Sequence, residues 1–410
     1  MSRLQNTDPN PVLRRNPDSD FIDNPAQKAD SHEKSRSPYW DIVKGIGILA
    51  IVIGHTGLAH RFLYLFHVAL FFFITGFLYN EKKYAGNPWG YFAARVRGVW
   101  PRYMIYTAFF ALIHNFCVTR GIYRDQPIYS LPQILGSIFT SVTFQCPEPL
   151  HGALWFVPVW ITSAALFGGC VWAGNALSAK FNRAPSANDC APAKDRTEPC
   201  SDFAAEKPVK LRSSASLSAG IFAMFFGLLG LLLAAEAVTL PLNMHAAALA
   251  VPLYWMAWMV QKYRPDYRKF MFLPGWIVSG VFLEIMQRIG CRVNVAVLNI
   301  PGVLYYLFSL VGAYHVLSLA DFLEKHRLLR PLSNMMAAFG KYSFDIMALH
   351  FAVFKMIDLL YCRLILHASP DGLSSLPVGF RFLTPIYIAA GVLIPTLSGT
   401  VLDQIKRKYH

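Results

Sequence analysis

The sequence predicts an all-α fold: a polytopic membrane helix bundle of about ten transmembrane helices with both termini cytoplasmic. Three observations predict it. Of 410 residues, 54 % are hydrophobic and only 15 % charged, too few polar groups for a water-soluble protein of that length. The apolar residues cluster into recurring runs, and a hydrocarbon core of about 30 Å takes about 20 helical residues to cross. The connections between those runs alternate in Lys and Arg, 28 on the even side (with both termini) against 7 on the odd side. This is the positive-inside pattern. The formal charge of +14, which in a soluble protein would suggest nucleic acid, is therefore a topology signal. Membrane lipids are the expected surroundings and nucleic acid is not an expected partner.

Residues 1–36 are rich in Pro, Asn, Asp, Ser and charge and cannot offset their ordering entropy by burial. They lack the apolar core and cleavage pattern of a signal peptide, so a disordered cytoplasmic tail is expected, followed by one membrane domain over 37–410. Its spans are expected near 42–57, 62–80, 99–118, 153–176, 216–238, 240–261, 271–287, 301–320, 342–362 and 380–402.

The first span is the informative one. Between Ile46 and Gly57 its only strongly polar side chain is His55, and Asp41 and Lys44 stand at its start. At about 100° per residue, Lys44 and His55 fall within roughly 20° of each other, with Asp41 on the same side. Ionisable groups at membrane depth are functional candidates by default. Gly45, Gly47, Gly54 and Gly57 allow close backbone approach, so a polar-lined cavity is expected along this helix. The second span, antiparallel after a short turn, brings His67 toward the same side; the competing reading of either histidine is a hydrogen-bonded packing residue.

The order Asp41, Lys44-Gly45-Ile46, Gly54-His55, Phe66-His67, Leu70-Phe71-Phe72 and Thr75-Gly76-Phe77 resembles the start of the acyltransferase 3 family of integral-membrane O-acyltransferases. It is most similar to the fucose 4-O-acetylase-like branch. Leu154-Trp155-Phe156, and the stretch from Gly340-Lys341-Tyr342-Ser343 to Ala348-Leu349-His350, resemble that family's fourth and ninth spans, and the likeness covers roughly 38–402. The resemblance implies a cytoplasmic acyl-coenzyme A co-substrate, usually acetyl-coenzyme A, with no tightly bound cofactor. It also implies an acceptor glycan or lipid-linked glycan, commonly presented on the other side of the membrane.

The remaining stretches are read in that light. Tyr91 to Tyr103 sets Arg95, Arg97 and Arg102 around Trp100 and Pro101. They are either interfacial anchors reaching to headgroups or guanidiniums for the phosphates of coenzyme A, which suit bidentate recognition. The family usually has two arginines three apart here; Arg95 and Arg97 are two apart. Residues 119–152 are expected to form the longest extracytoplasmic loop, with Leu131 to Phe144 as a helix lying on the membrane. His151 and Trp155 at its end are candidates to meet a sugar by hydrogen bonding and ring stacking. Residues 177–215 read as a flexible cytoplasmic loop. Cys190 and Cys200 within it lack metal-site spacing, and no metal is expected. A disulfide between Cys146 and Cys291 is left open. In the ninth span Lys355 and Asp358 can neutralise each other at i, i+3, while His350 is a candidate to meet the acceptor near mid-membrane.

No GxSxG elbow, P-loop, dinucleotide fingerprint or HExxH motif occurs. Acyl transfer to a hydroxyl needs a base near neutral pKa, oxyanion donors and a dry site. His55 is the expected base or acyl carrier, with Asp41 and Lys44 holding the polar stripe. Two alternatives stand beside this: a non-catalytic transporter or channel, whose folds often carry internal repeats not seen here, and an acyltransferase acting on a non-carbohydrate acceptor.

Overall fold

The computed structural model describes residues 37–123, 126–145, 148–181, 207–369 and 381–408. The expected tail, Cys146, Cys190 and Cys200 lie outside them. Helices of eleven residues or more are numbered in chain order: α1 (Pro38–His55), α2 (His67–Phe77), α3 (Pro88–Leu112), α4 (Leu131–Ser141), α5 (Phe156–Phe181), α6 (Lys207–Ala235), α7 (Met244–Tyr263), α8 (Leu273–Arg288), α9 (Leu304–Lys325), α10 (Arg330–Lys341), α11 (Ser343–Leu364) and α12 (Thr384–Lys408). Among the described residues there is no strand, only an isolated bridge between Asn294 and Asn299.

A helix occupies each of the ten stretches predicted to be spans. Five helical stretches are long and apolar enough to cross a membrane by length and composition: His60–Phe77, Pro149–Lys180, Ser214–Ala235, Leu304–Lys325 and Arg381–Ile405. Of the helices at the predicted spans, α1, α3, α7, α8 and α11 fall outside those five; of these, α1, α3 and α11 carry Asp41, Lys44, Arg95, Arg102, Asp345 and Lys355. The same residues that interrupt their hydropathy are the ones that build the interior. Residues 177–181 and 207–215, expected to be loop, are helical in α5 and α6.

α1 is the centre of the bundle. It packs against α2, α9, α10, α11 and α12, and eleven of its residues are buried. Its tightest neighbour is α10, through a reciprocal small-residue contact. A Cβ on Gly45 would collide with the backbone carbonyl of Met336, and one on Gly340 with that of Asp41. Both positions therefore need glycine for close approach. Around this core, α5, α6 and α7 pack on one another, as do α8 with α9 and α11 with α12. On α6, Leu217, Ile221, Phe225, Leu228 and Leu232 recur at helical spacing and are all exposed, the face that hydrocarbon would cover.

α4 forms where a surface helix was expected, but it does not stand off the bundle. The Asn115 side chain bonds both the N–H and the C=O of Tyr129 at 2.7 Å. At the other end, Trp100 Nε1 donates to the Val142 carbonyl at 3.3 Å. Hence α4 runs beside the third helical stretch from the level of Asn115 to that of Trp100, roughly 22 Å of helix. Its apolar residues Leu131, Leu135 and Phe139 face outward, whereas Ser137 and Ser141 are buried. An apolar face outward and a polar one inward suits a helix surrounded by hydrocarbon. The chain then returns to bury Glu148 against His114.

Candidate active site

A cavity of about 400 Å³ runs beside α1, lined at one end by Lys44 and at the other by His55. Eleven helical residues separate them, about 16 Å. The wall includes Arg95 of α3, Trp155 and Trp160 from the start of the α5 stretch, His67 and Thr75 of α2, and Ser343 of α11. Asn294, in the loop after α8, also lines it.

The hydrogen bonds at the His55 end fix which ring atoms are basic. His350 Nδ1 lies 2.9 Å from the carbonyl of Ile346, and a carbonyl only accepts, so Nδ1 carries the proton. In neutral His350, Nε2 is then an acceptor. It lies 2.8 Å from His55 Nδ1, which must donate. The two rings are 5.0 Å apart at their centroids and 3° from parallel, the spacing of two imidazoles joined edge to edge in one plane. His55 is left with its Nε2 lone pair uncommitted at the cavity. His350 itself is fully buried and orients His55 from behind, as a carboxylate orients the histidine in other acyl-transfer sites.

His67 has the same pattern. Its Nδ1 donates to the Leu63 carbonyl at 2.8 Å, and its side chain lines the cavity. His55 and His67 flank the ring of Tyr64, at 6.3 and 4.6 Å between centroids.

At the far end Lys44 pairs with Asp41 at 2.6 Å. Arg95 is held by stacking, its guanidinium 5.0 Å from the ring centre of Tyr91 and 5.8 Å from that of Trp160. Its Nε is buried with no hydrogen-bond partner. Trp160 is fixed beneath it, since its indole N–H donates to Thr75 Oγ1 at 2.7 Å while that hydroxyl donates to the Phe71 carbonyl. This gives the Thr75-Gly76-Phe77 motif a local purpose. A Cβ on Gly76 would collide with the backbone of Tyr254.

Thus His55, Lys44, Arg95, His67 and Trp155 share the cavity, with Asp41 and His350 directly behind it. The other three expected site residues lie elsewhere. Arg97 is exposed, its Nε turned back to the Ala93 carbonyl at 3.3 Å. Arg102 is committed to Asp345 at 2.8 Å and Asp403 at 2.5 Å. His151 is buried beside Tyr103, Phe110 and Thr107 and does not line the cavity. Tyr64 and Trp160 gave no sequence signal, because an aromatic in an apolar run reads as core.

A family model described as an acyltransferase domain matches residues 37–402, nearly the whole described chain. The chain belongs to the acyltransferase 3 family. It is a membrane acyltransferase with transmembrane helices. No curated protein and no solved structure matches it.

Proposed function

We propose that this protein transfers an acyl group, in the first instance acetyl, from cytoplasmic acyl-coenzyme A to a hydroxyl of a cell-surface or exported glycan. It would do so as a ten-span protein of the cell membrane with both ends cytoplasmic, within the fucose 4-O-acetylase-like branch. The observation that carries the reading is the Ile346–His350–His55 chain of donors and acceptors, which leaves one basic nitrogen at one end of a cavity whose other end is cationic.

Arg95 sets its guanidinium in the cavity wall with no carboxylate partner among the described residues, and Lys44 adds a second cation. Phosphates of a coenzyme A fit there, with the slender pantetheine arm lying along about 16 Å of α1 toward His55. The acceptor oxygen then attacks the thioester carbonyl while its proton passes to His55 Nε2. The imidazolium keeps its Nδ1–H on His350, so the new charge is spread over a hydrogen-bonded pair. Collapse of the tetrahedral intermediate breaks the C–S bond, and the thiolate recovers the proton from His55. The products are an ester and free coenzyme A. Apolar walls at Ile48, Ile51, Phe71 and Met347 keep water from competing.

The test uses purified full-length protein with acetyl-labelled coenzyme A and a glycan acceptor. Transfer of label and release of thiol are expected, both lost in His55→Gln. A rapid-quench search for label on the protein separates an acyl-imidazole route from direct attack. Full turnover by His55→Gln would remove this histidine from the chemistry.

A further inference from the structure

We infer that His67 is a positioning residue that accepts a hydrogen bond from a second hydroxyl of the acceptor, so that the acceptor must bring two hydroxyls to the cavity. This rests on the acyl-transfer reading above.

The argument starts from the state of the ring. With Nδ1–H given to Leu63, neutral His67 has only a lone pair at Nε2. The residue is 5 % exposed and lines the cavity, so whatever fills the cavity has to supply the donor for that lone pair. Buried His245 and half-buried His315 each show a partner at Nδ1 only, but neither lines the cavity. Of the histidines tied to partners on both sides, one is far from it and one stands behind His55. His114 has Nδ1 2.9 Å from Glu148 and Nε2 2.9 Å from the Pro127 carbonyl. His350 likewise uses both nitrogens. His67 resembles His55 instead: one nitrogen tied to the protein, the other turned to a shared space.

Two acceptor-only atoms on either side of Tyr64 ask for two donors on one ligand. The cavity's own cations do not supply them. Lys44 beside Asp41 and Arg95 stacked on Tyr91 and Trp160 stand at the other end, about 16 Å of helix from His55. A thioester donor has no hydroxyl near its reacting carbon. A polyol supplies both: the reacting hydroxyl meets His55, and a neighbouring one meets His67 and fixes the angle of attack. Trp155, on the same wall, offers a face for the acceptor ring.

The test is a cycle between residue and hydroxyl. Methyl α-L-fucopyranoside and methyl β-D-galactopyranoside, with their monodeoxy analogues, are offered with acetyl-coenzyme A to wild type, His67→Phe and His67→Gln. In wild type, deleting the hydroxyl beside the reacting one should raise the acceptor KM about tenfold, the value of one net hydrogen bond. In His67→Phe the parent glycoside should already show that loss, and the deletion should add nothing. His67→Gln, which returns a carbonyl acceptor, should recover part of the preference. A purely structural His67 would lower turnover on all acceptors alike, with the hydroxyl preference intact, and that result overturns the inference. So does release of coenzyme A without transfer to any of these polyols. Failure of the acyl-transfer reading itself looks different: wild type releases no coenzyme A with any acceptor.

Discussion

Two sets of buried and half-buried polar groups occupy this bundle, and they differ in what they leave undone. Around Arg102, the guanidinium bonds Asp345 and Asp403, Tyr106 donates to Asp345 at 2.6 Å, and Lys341 stands 3.5 Å from Asp403. Lys355 meets Asp358 at 2.6 Å in the same style. Along the cavity, by contrast, His55 and His67 each retain a lone pair and Arg95 a buried N–H. Both sets desolvate charge or strong dipoles. A closed network holds helices in register, whereas an open one has capacity left for a ligand.

The sharpest break of that contrast is at His55. His55→Gln keeps the size and a hydrogen bond but cannot take a proton, so turnover should fall about 10²- to 10⁴-fold, the usual worth of a general base. Unfolding in detergent should be little changed. Asp345→Ala should do the opposite. It leaves Arg102, about a third exposed, with Asp403 alone and the buried Tyr106 hydroxyl without its acceptor, and should cost about 1–3 kcal/mol of stability, as stranding a buried hydrogen-bonding group does. The measurement is denaturant unfolding in mixed micelles. Normal stability of Asp345→Ala would show that the belt is not the structural set.

These two residues also show what the sequence could reveal. The helices were legible because hydrophobic runs are local properties, and the place of His55 on the cavity wall was legible because one polar side chain in an apolar segment stands out. Partnership was not. His55 and His350 are 295 residues apart, and Arg102 lies 243 and 301 residues from its two carboxylates. Within YFAARVRGVWPRY three arginines look alike; only the fold sends one to Asp345, one outward and one into the cavity. The seat of α4 against the bundle was hidden for a related reason. Its amphipathicity is plain in the sequence, but where its two ends are tied depends on Asn115 and Trp100, residues of the preceding helical stretch.

A smaller effect is expected from Arg95→Ala. If its free N–H meets a phosphate of the donor, its loss should raise the KM for acetyl-coenzyme A with less change in kcat. Ground state and transition state would use that contact equally. A charge-assisted hydrogen bond is worth about 1.5–3 kcal/mol, or roughly ten- to a hundredfold in KM. Initial rates over a range of donor concentration decide it, and an unchanged KM would return Arg95 to the stacked, structural set.

Arg97 supplies the matching control two residues away, and the smallest expected effect. It sits on the same helix and carries the same charge, so any effect of net cationic charge on coenzyme A capture should appear in both variants. Its side chain, however, is exposed and folded back onto its own helix at Ala93, away from Tyr91 and Trp160. Arg97→Ala should therefore change stability and donor KM by no more than about 0.5 kcal/mol, as surface substitutions do, and that residue should be more salt-sensitive than the Arg95 effect because exposed charges are screened. Equal donor KM increases in the two variants would mean that long-range attraction, not a buried N–H, gathers the donor. A large effect confined to Arg97→Ala would place the phosphates on the outer surface of α3 and leave the cationic end of the cavity without its proposed ligand.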